Sequence, residues 1–471
     1  MDGISTRKEL RSNSNFSSLS TEELAEYHTL ISNNINNFNQ AVISQNPANI
    51  SNASQQLCEI LVPHVKLSVD QFNEVNFIKN LVSILCLNNV ELVLLVSKLL
   101  ARIIYLTDGF VKEFPVDLLQ HLFTLLMNSP PGTDITYLVD LLCNFCSEIS
   151  DLSIYSDKIY EIINSYGQRP ITVSYVILIH HLSRHVVPKK EFIDYLFFLV
   201  KQPNDEITRL SLWVISSYCR YRGCGASGLI LENYLDFLLN YIIHGTVPEH
   251  IEASISILTH CIQLSQIDIG ILPIPSFIEL CHSTNQIIQY SALQFIRAAA
   301  VINPEIIYQC NILSFIELSE HSTFRVLFLI VWIFSQILAS SSFEFLMQLP
   351  LEQILSFIFS KIDDNDTLQY LVLKNLHSMK YTLEIQNRSD IFYELMQRID
   401  AMDKMDSLVF SQNDEVANEA QMMLEEPLEE INKTMMEAMD TIKRFEDAEL
   451  VSEDNEEWKN VKSIRFVYNK K

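Results

Sequence analysis

The chain has 471 residues, 48% of them apolar, with only 9 glycines, 14 prolines and a formal net charge of −25. Glycine and proline are too scarce for a parallel-sheet enzyme with many tight turns or for a disordered polypeptide, and the apolar share supplies a large core. Such acidity repels phosphate backbones and anionic lipid and steers basic peptides inward, so direct nucleic-acid binding is not expected; it also keeps an apolar protein soluble.

Residues 1–20 are polar and serine-rich, carry Arg7, Lys8 and Arg11, and are expected to form a flexible arm. No apolar leader of the secretory kind opens the sequence, so an intracellular protein is expected. Ser20-Thr-Glu-Glu23 has capping-box spacing and predicts a helix from there to about Asn37. Further apolar helices centre near Ile104, Leu142, Ile179, Ile257, Ile296 and Leu373. Their spacing of roughly 40 residues is the period of armadillo and HEAT arrays. One such unit cannot bury its apolar face alone, whereas stacked units share a core and expose a long inner groove.

Breakers at Pro115, Pro130-Pro-Gly132, Gly167, Pro170, Pro188, Gly223 to Gly228, Pro248, Pro273, Pro275, Pro304 and Pro350 mark the expected joints between helices. Three segments follow: an arm over 1–20, a helical array over 21–426 and an acidic tail over 427–471. The tail contains the clusters Glu425-Glu-Pro-Leu-Glu-Glu430 and Glu453-Asp-Asn-Glu-Glu457, and one amphipathic helix is expected over Ile431 to Glu449.

Motifs that carry catalysis are missing: no Gly-rich phosphate loop, no Gly-x-Ser-x-Gly elbow, no His-Glu-x-x-His helix. Cys143-Asn-Phe-Cys146 is a lone pair inside an apolar helix, and His180, His181 and His185 place two imidazoles on one helical face at the i, i+4 spacing without a neighbouring acid as third ligand. Neither a metal, a cofactor nor an enzymatic activity is expected, and the nine cysteines read as reduced thiols. Phe324 to Ala339 approaches membrane-span length, but Arg325 and Gln336 mark it as a core helix.

Two helices pair a tryptophan with a polar residue one turn on: Trp213 with Ser217, and Trp332 with Gln336. Residues four apart share a helical face. On a groove, the indole makes a shelf for the stem and ammonium of a lysine, and the polar group holds the backbone of an extended peptide. Both tryptophans equally fit core positions at helical spacing.

These residues resemble the importin-α family of armadillo adaptors, whose third helices carry a Trp-Ala-Leu-Ser-Asn-like signature. The likeness is carried by Asn204-Asp-Glu-Ile-Thr-Arg-Leu210 with Trp213-Val-Ile-Ser-Ser-Tyr-Cys-Arg220, and by Gln309-Cys-Asn-Ile-Leu-Ser-Phe-Ile-Glu-Leu318 through Trp332-Ile-Phe-Ser-Gln336. It extends to Tyr393-Glu-Leu-Met-Gln-Arg-Ile-Asp-Ala-Met-Asp-Lys-Met-Asp406 and on to Ala420, similar to the family's final repeat, and so covers about residues 20 to 426.

The resemblance implies an all-α, right-handed superhelical armadillo solenoid of about eight to ten units. It implies an adaptor moving between cytoplasm and nucleus that holds basic nuclear localisation signals of cargo proteins in its concave groove. Trp213 and Trp332 would be the shelves and Asn144, Ser217, Gln336 and Asn375 the backbone clamps. Ser217 and Gln336 stand where the family has asparagine, while Asn144 and Asn375 keep it with Asp140 and Leu371 in the tryptophan places. The corresponding pairs in the first and third repeats are Ala101 with Tyr105 and Ile177 with His181, so no repeat retains both partners. The family's long arginine-rich arm for importin-β is reduced here to Arg7, Lys8 and Arg11, and the acidic tail resembles the family's export-receptor contact in composition. The alternative is an armadillo scaffold for other protein assemblies, with signal-peptide binding lost or altered.

Overall fold

The computed structural model describes residues 20–424, apart from short stretches of which 163–170 is the longest. The chain divides into two compact units, one reaching Tyr221 and the other running from Arg222. The described elements are helices: no strand occurs among them. The arm with Arg7, Lys8 and Arg11, the tail from 427 onward with its expected helix, and the breakers Pro131, Gly167, Pro170, Pro188 and Gly223 lie outside the described residues.

The first unit contains α1 (Thr21–Ile43), α2 (Pro47–Ile60), α3 (Val75–Leu85), α4 (Val90–Leu106), α5 (Val116–Asn128), α6 (Thr136–Glu148), α7 (Val173–Ser183), α8 (Lys190–Val200) and α9 (Asp205–Arg222). The expected capping box opens α1: Glu23 donates its backbone N–H to the Ser20 hydroxyl, and Ser20 donates its own to the Glu23 carboxylate. Successive inner helices lie against each other, α2 on α4, α4 on α6 and α6 on α7. Every residue of α7 from Tyr175 to Ser183 is buried, as expected for a helix covered on all sides.

The second unit contains α10 (Cys224–His244), α11 (Pro248–Leu264), α12 (Ile274–Cys281), α13 (Gln286–Ile302), α14 (Pro304–Gln309), α15 (Ser314–Ser319), α16 (Phe324–Ser340), α17 (Phe343–Leu346), α18 (Leu351–Lys361), α19 (Asp366–Ile385), α20 (Ser389–Arg398), α21 (Met402–Leu408) and α22 (Asp414–Leu424). Here α11, α13, α16, α19 and α22 pack one on the next. A break was expected across Gly223 to Gly228; α9 ends at Arg222 and α10 begins at Cys224, at the start of that segment, and Gly225 and Gly228 lie inside α10. Ala226 and Ile230 are fully buried there, and their packing offsets the roughly 1 kcal/mol that each helical glycine costs.

The repeat is punctuated by asparagine. Asn46, Asn89, Asn204, Asn285, Asn365 and Asn413 each accept a backbone N–H from the first turn of the following helix, α2, α4, α9, α13, α19 and α22 respectively. An asparagine satisfies otherwise unpaired amide donors at a helix start, so these residues fix where each inner helix begins. Apolar side chains then supply the cohesion. In α13, Leu293, Phe295 and Ile296 are fully buried, each burial stabilising by about 1.5–3 kcal/mol.

Polar groups also tie neighbouring inner helices. Asn144 on α6 donates its amide to the Ala101 carbonyl on α4 at 2.8 Å, and Asn375 on α19 donates to the Ser335 hydroxyl on α16 at 2.8 Å. Lys380, buried on α19, donates to the Met423 carbonyl of α22 at 2.9 Å. Asn144→Ala removes one such tie and leaves the Ala101 carbonyl with its intrahelical donor alone. Urea unfolding of the variant is expected to show a loss of about 0.5–1.5 kcal/mol.

Candidate functional site

Register along the inner helices follows from their first turns. Counted from the residue just before each helix, side chains five, nine and thirteen places on fall along one stripe, as the 3.6-residue period requires. In α9 this stripe is Arg209, Trp213 and Ser217, counted from Asn204, and in α16 it is Phe328, Trp332 and Gln336, counted from Thr323. All six side chains are half-buried, while most of the residues between them are buried. The same stripe carries Leu94, Lys98 and Arg102 on α4, Tyr290 and Gln294 on α13, and Tyr370, Lys374 and Ser378 on α19.

Both tryptophans thus occupy equivalent, partly open places, each in its own unit, with the polar partner one turn on. Gln336 donates its amide to the Ser340 hydroxyl at 2.9 Å. Asn144 and Asn375 sit differently. Counting from Ile135, Asn144 falls at place nine, level with the tryptophans, and counting from Asn365, Asn375 falls at place ten, beside the stripe. The register read from the resemblance, which set both asparagines level with Ser217 and Gln336, is shifted by where α6 and α19 begin. Both asparagines are buried, 1% and 6% exposed, and their amides donate to the neighbouring helices as described above.

The shelves already have company. The His180 ring on α7 lies 3.9 Å from the Trp213 ring, tilted by 32°. On Trp332, the Arg297 guanidinium of α13 rests 4.1 Å from the ring centre, and Phe328 meets the same indole edge-on at 5.9 Å. Similar pairs recur along the stripe, with Lys98 over Tyr137 at 4.8 Å and Lys374 over Tyr370 at 5.5 Å. Burial pulls the Lys374 ammonium below its usual range, against the pull of Glu419 and Glu415 in the other direction. Neither Arg297 nor Lys98 stands out in the sequence as a site residue, and His180 does so only as one of the histidines weighed for a metal. Only the asparagine caps, by fixing the register, place Lys98 in the tryptophan column and Arg297 one turn from it.

On α6 the stripe is buried rather than open. Asp140 is 5% exposed and its carboxyl is pushed up to about 6 by burial, with a hydrogen bond to Ser174 pulling down and the charge of Asp134 adding to the rise. A carboxyl whose folded value exceeds its unfolded value near 3.8 destabilises the fold as pH rises through that interval, with the cost complete above about 6. Asp140→Asn is therefore expected to be more stable than the wild type at pH 8, by about 3 kcal/mol at most, and equal to it below pH 4. Urea midpoints at both pH values test this.

Of the residues considered for metal binding, Cys143 and Cys146 are both buried in α6. Cys143 donates its thiol to the Ser174 carbonyl at 2.9 Å, and burial pushes both it and Cys146 well above the ordinary thiol range. No cluster of three or more His, Cys, Asp or Glu side chains suited to a metal occurs among the described residues. None of the described helices is long and apolar enough to cross a membrane.

No family model matches this sequence, and no curated protein does. Solved structures do. An engineered protein superposes with a TM-score of 0.61 at 14% identity, covering 83% of this chain and 98% of its own. A structure from work on a phosphorylation switch controlling the interaction between cadherin and beta-catenin gives 0.55 at 14% identity, covering 82% and 84%. A designed armadillo repeat protein aligns over 49% of this chain and 97% of its own at 18% identity, with a TM-score of 0.41. The fold is an armadillo-repeat solenoid, an architecture suited to holding protein partners.

Proposed function

We propose that the chain is a non-catalytic adaptor of the importin-α type, which carries proteins between cytoplasm and nucleus by holding a basic, extended signal segment along its inner helices. The observation that carries this reading is Trp213, half-exposed on the stripe of α9 with Ser217 one turn beyond. An indole that stays half-exposed beside the His180 ring attracts a lysine ammonium and packs the lysine stem, and a nearby hydroxyl holds a peptide amide. The acidic residues Asp205 and Glu206, exposed in the first turn of the same helix, add a favourable field for a cationic ligand. In this reading Arg7, Lys8 and Arg11 engage importin-β, and the acidic tail meets an export receptor.

Arg297 favours a second reading for the other unit. Its guanidinium takes the place on Trp332 that a ligand cation would need, so this face suits a segment of different chemistry, as in an armadillo scaffold for protein assembly. A titration of a fluorescent lysine-rich signal peptide into the full chain separates the two. Saturable, salt-sensitive binding that depends on Trp213 supports the adaptor, and absence of binding removes it.

A further inference from the structure

The chain as a whole is acidic, with a formal net charge of −25, but one face within the second unit has the opposite sign. The inner helices α13 and α16 contain no acidic residue, and each carries an arginine, Arg297 and Arg325. Tyr290, Gln294 and Arg297 follow one another at helical spacing on α13, as do Arg325, Phe328 and Trp332 on α16. The two rows meet where the Arg297 guanidinium rests 4.1 Å from the centre of the Trp332 ring. Arg325 is exposed and the other five side chains are half-buried, so the face opens to solvent. Acids return only beyond it. Glu252 on α11 stands level with Tyr290 and Phe328, and Glu415 and Glu419 pull on the Lys374 ammonium of α19.

The buried Nε of Arg297 meets no hydrogen-bond acceptor, and neither arginine has an ion-pair partner among the described residues. An indole face attracts the guanidinium charge but offers its N–H groups no lone pair, so the fork of donors is left for an acceptor from outside. A carboxylate suits that place, because it accepts two parallel N–H bonds from one guanidinium. Beside the cations lies an apolar strip: Phe324 is 50% exposed, with its ring centre 6.4 Å from that of Phe328. The negative charge elsewhere on the chain does not cancel this local sign. At physiological ionic strength, exposed charges more than about 8 Å away are largely screened, whereas a carboxylate in contact with an arginine is not.

We infer that the face formed by α13 and α16 holds an extended acidic segment of a partner protein, with Asp or Glu carboxylates on Arg297 and Arg325 and an apolar side chain on Phe324 and Phe328. The step from Arg325 to Trp332 along α16 spans roughly 10 Å, the reach of about three extended residues, so acids at that spacing meet both cations. The inference rests on the second reading above, which gives this face to a ligand other than a lysine-rich signal, and it adds the charge of that ligand. The Trp213 shelf of the first unit is no part of it.

The test uses the full chain, labelled with 5-fluorotryptophan, and a fluorescent peptide in which glutamates recur among leucine and serine, together with its glutamine counterpart. The acidic peptide is expected to bind saturably, to weaken as salt is raised, and to shift the Trp332 fluorine resonance but not that of Trp213. The glutamine peptide is expected to bind about tenfold more weakly or worse. Arg325→Glu, at an exposed position, and Arg297→Ala, with the fold checked by circular dichroism, are each expected to weaken the acidic peptide by a similar factor. Equal affinity for the acidic and glutamine peptides, both shifting Trp332, overturns the inference and leaves the scaffold reading standing. A lysine-rich peptide that shifts Trp332 overturns both. No binding of the acidic peptide, or binding indifferent to both arginine changes, overturns the inference as well.

Discussion

Phe295→Ala is expected to destabilise the second unit by about 3–5 kcal/mol in urea unfolding. Phe295 on α13 and Phe277 on α12 are both fully buried, and their rings stack at 3.8 Å with only 16° between planes. Removing one ring deletes a large apolar surface and leaves a cavity lined by the other, because flanking helices in a close-packed array relax only in part. In a solenoid, stability is close to a sum of repeat and neighbour terms, so the damage should show first as faster amide exchange in α12, α13 and the adjoining α11 and α16. Phe324→Ala serves as the control. Phe324 is also a phenylalanine on an inner helix, but its 50% exposure limits the expected loss to well under about 1 kcal/mol.

Trp213→Ala is expected to weaken binding of a lysine-rich signal peptide by about tenfold or more. A cation over an indole contributes roughly 0.5–2 kcal/mol, and the lysine stem packed along the ring adds an apolar term, together exceeding the 1.4 kcal/mol that a tenfold change requires. The same change at Trp332 is expected to leave the affinity nearly untouched, since Arg297 already lies on that indole at 4.1 Å. Comparing the two variants by fluorescence anisotropy therefore separates a shelf beside an aromatic ring, His180, from one that already carries the protein's own cation, Arg297. Ser217→Ala should cost less than Trp213→Ala, because a single hydroxyl contact to a peptide amide contributes only about 1 kcal/mol.

Much of the architecture is legible in the residues. The recurrence of apolar helices near Ile104, Leu142, Ile179, Ile257, Ile296 and Leu373 follows directly from burial, and each of these positions falls inside a described helix. Ser20 and Glu23 announce α1 because a capping box is a local device that depends on no distant contact. The stretch Phe324 to Ala339 reads correctly as a core helix on the strength of Arg325 and Gln336.

The lining is harder to read. A tryptophan identifies itself, but whether a neighbouring helix lays a side chain on it depends on packing between residues 33 or 35 positions apart, as for His180 with Trp213 and Arg297 with Trp332. Asn144 and Asn375 match a signature by type, yet the start of each helix, set by its first-turn geometry, decides which way they point. The glycines at 225 and 228 suggest a break by intrinsic preference, and the burial of Ala226 and Ile230 overrides it.

The claim on which the account turns is that a ligand cation can share the Trp213 indole with the neighbouring His180 ring, whereas the Arg297 guanidinium keeps a second cation off Trp332. The chain has three tryptophans, so incorporation of 5-fluorotryptophan gives a fluorine spectrum with three resonances that single substitutions assign. Titration with the lysine-rich peptide should shift the Trp213 resonance along a saturable curve and leave the Trp332 resonance in place. A Trp213 resonance that holds still at saturating peptide, or a shift confined to Trp332, would contradict it.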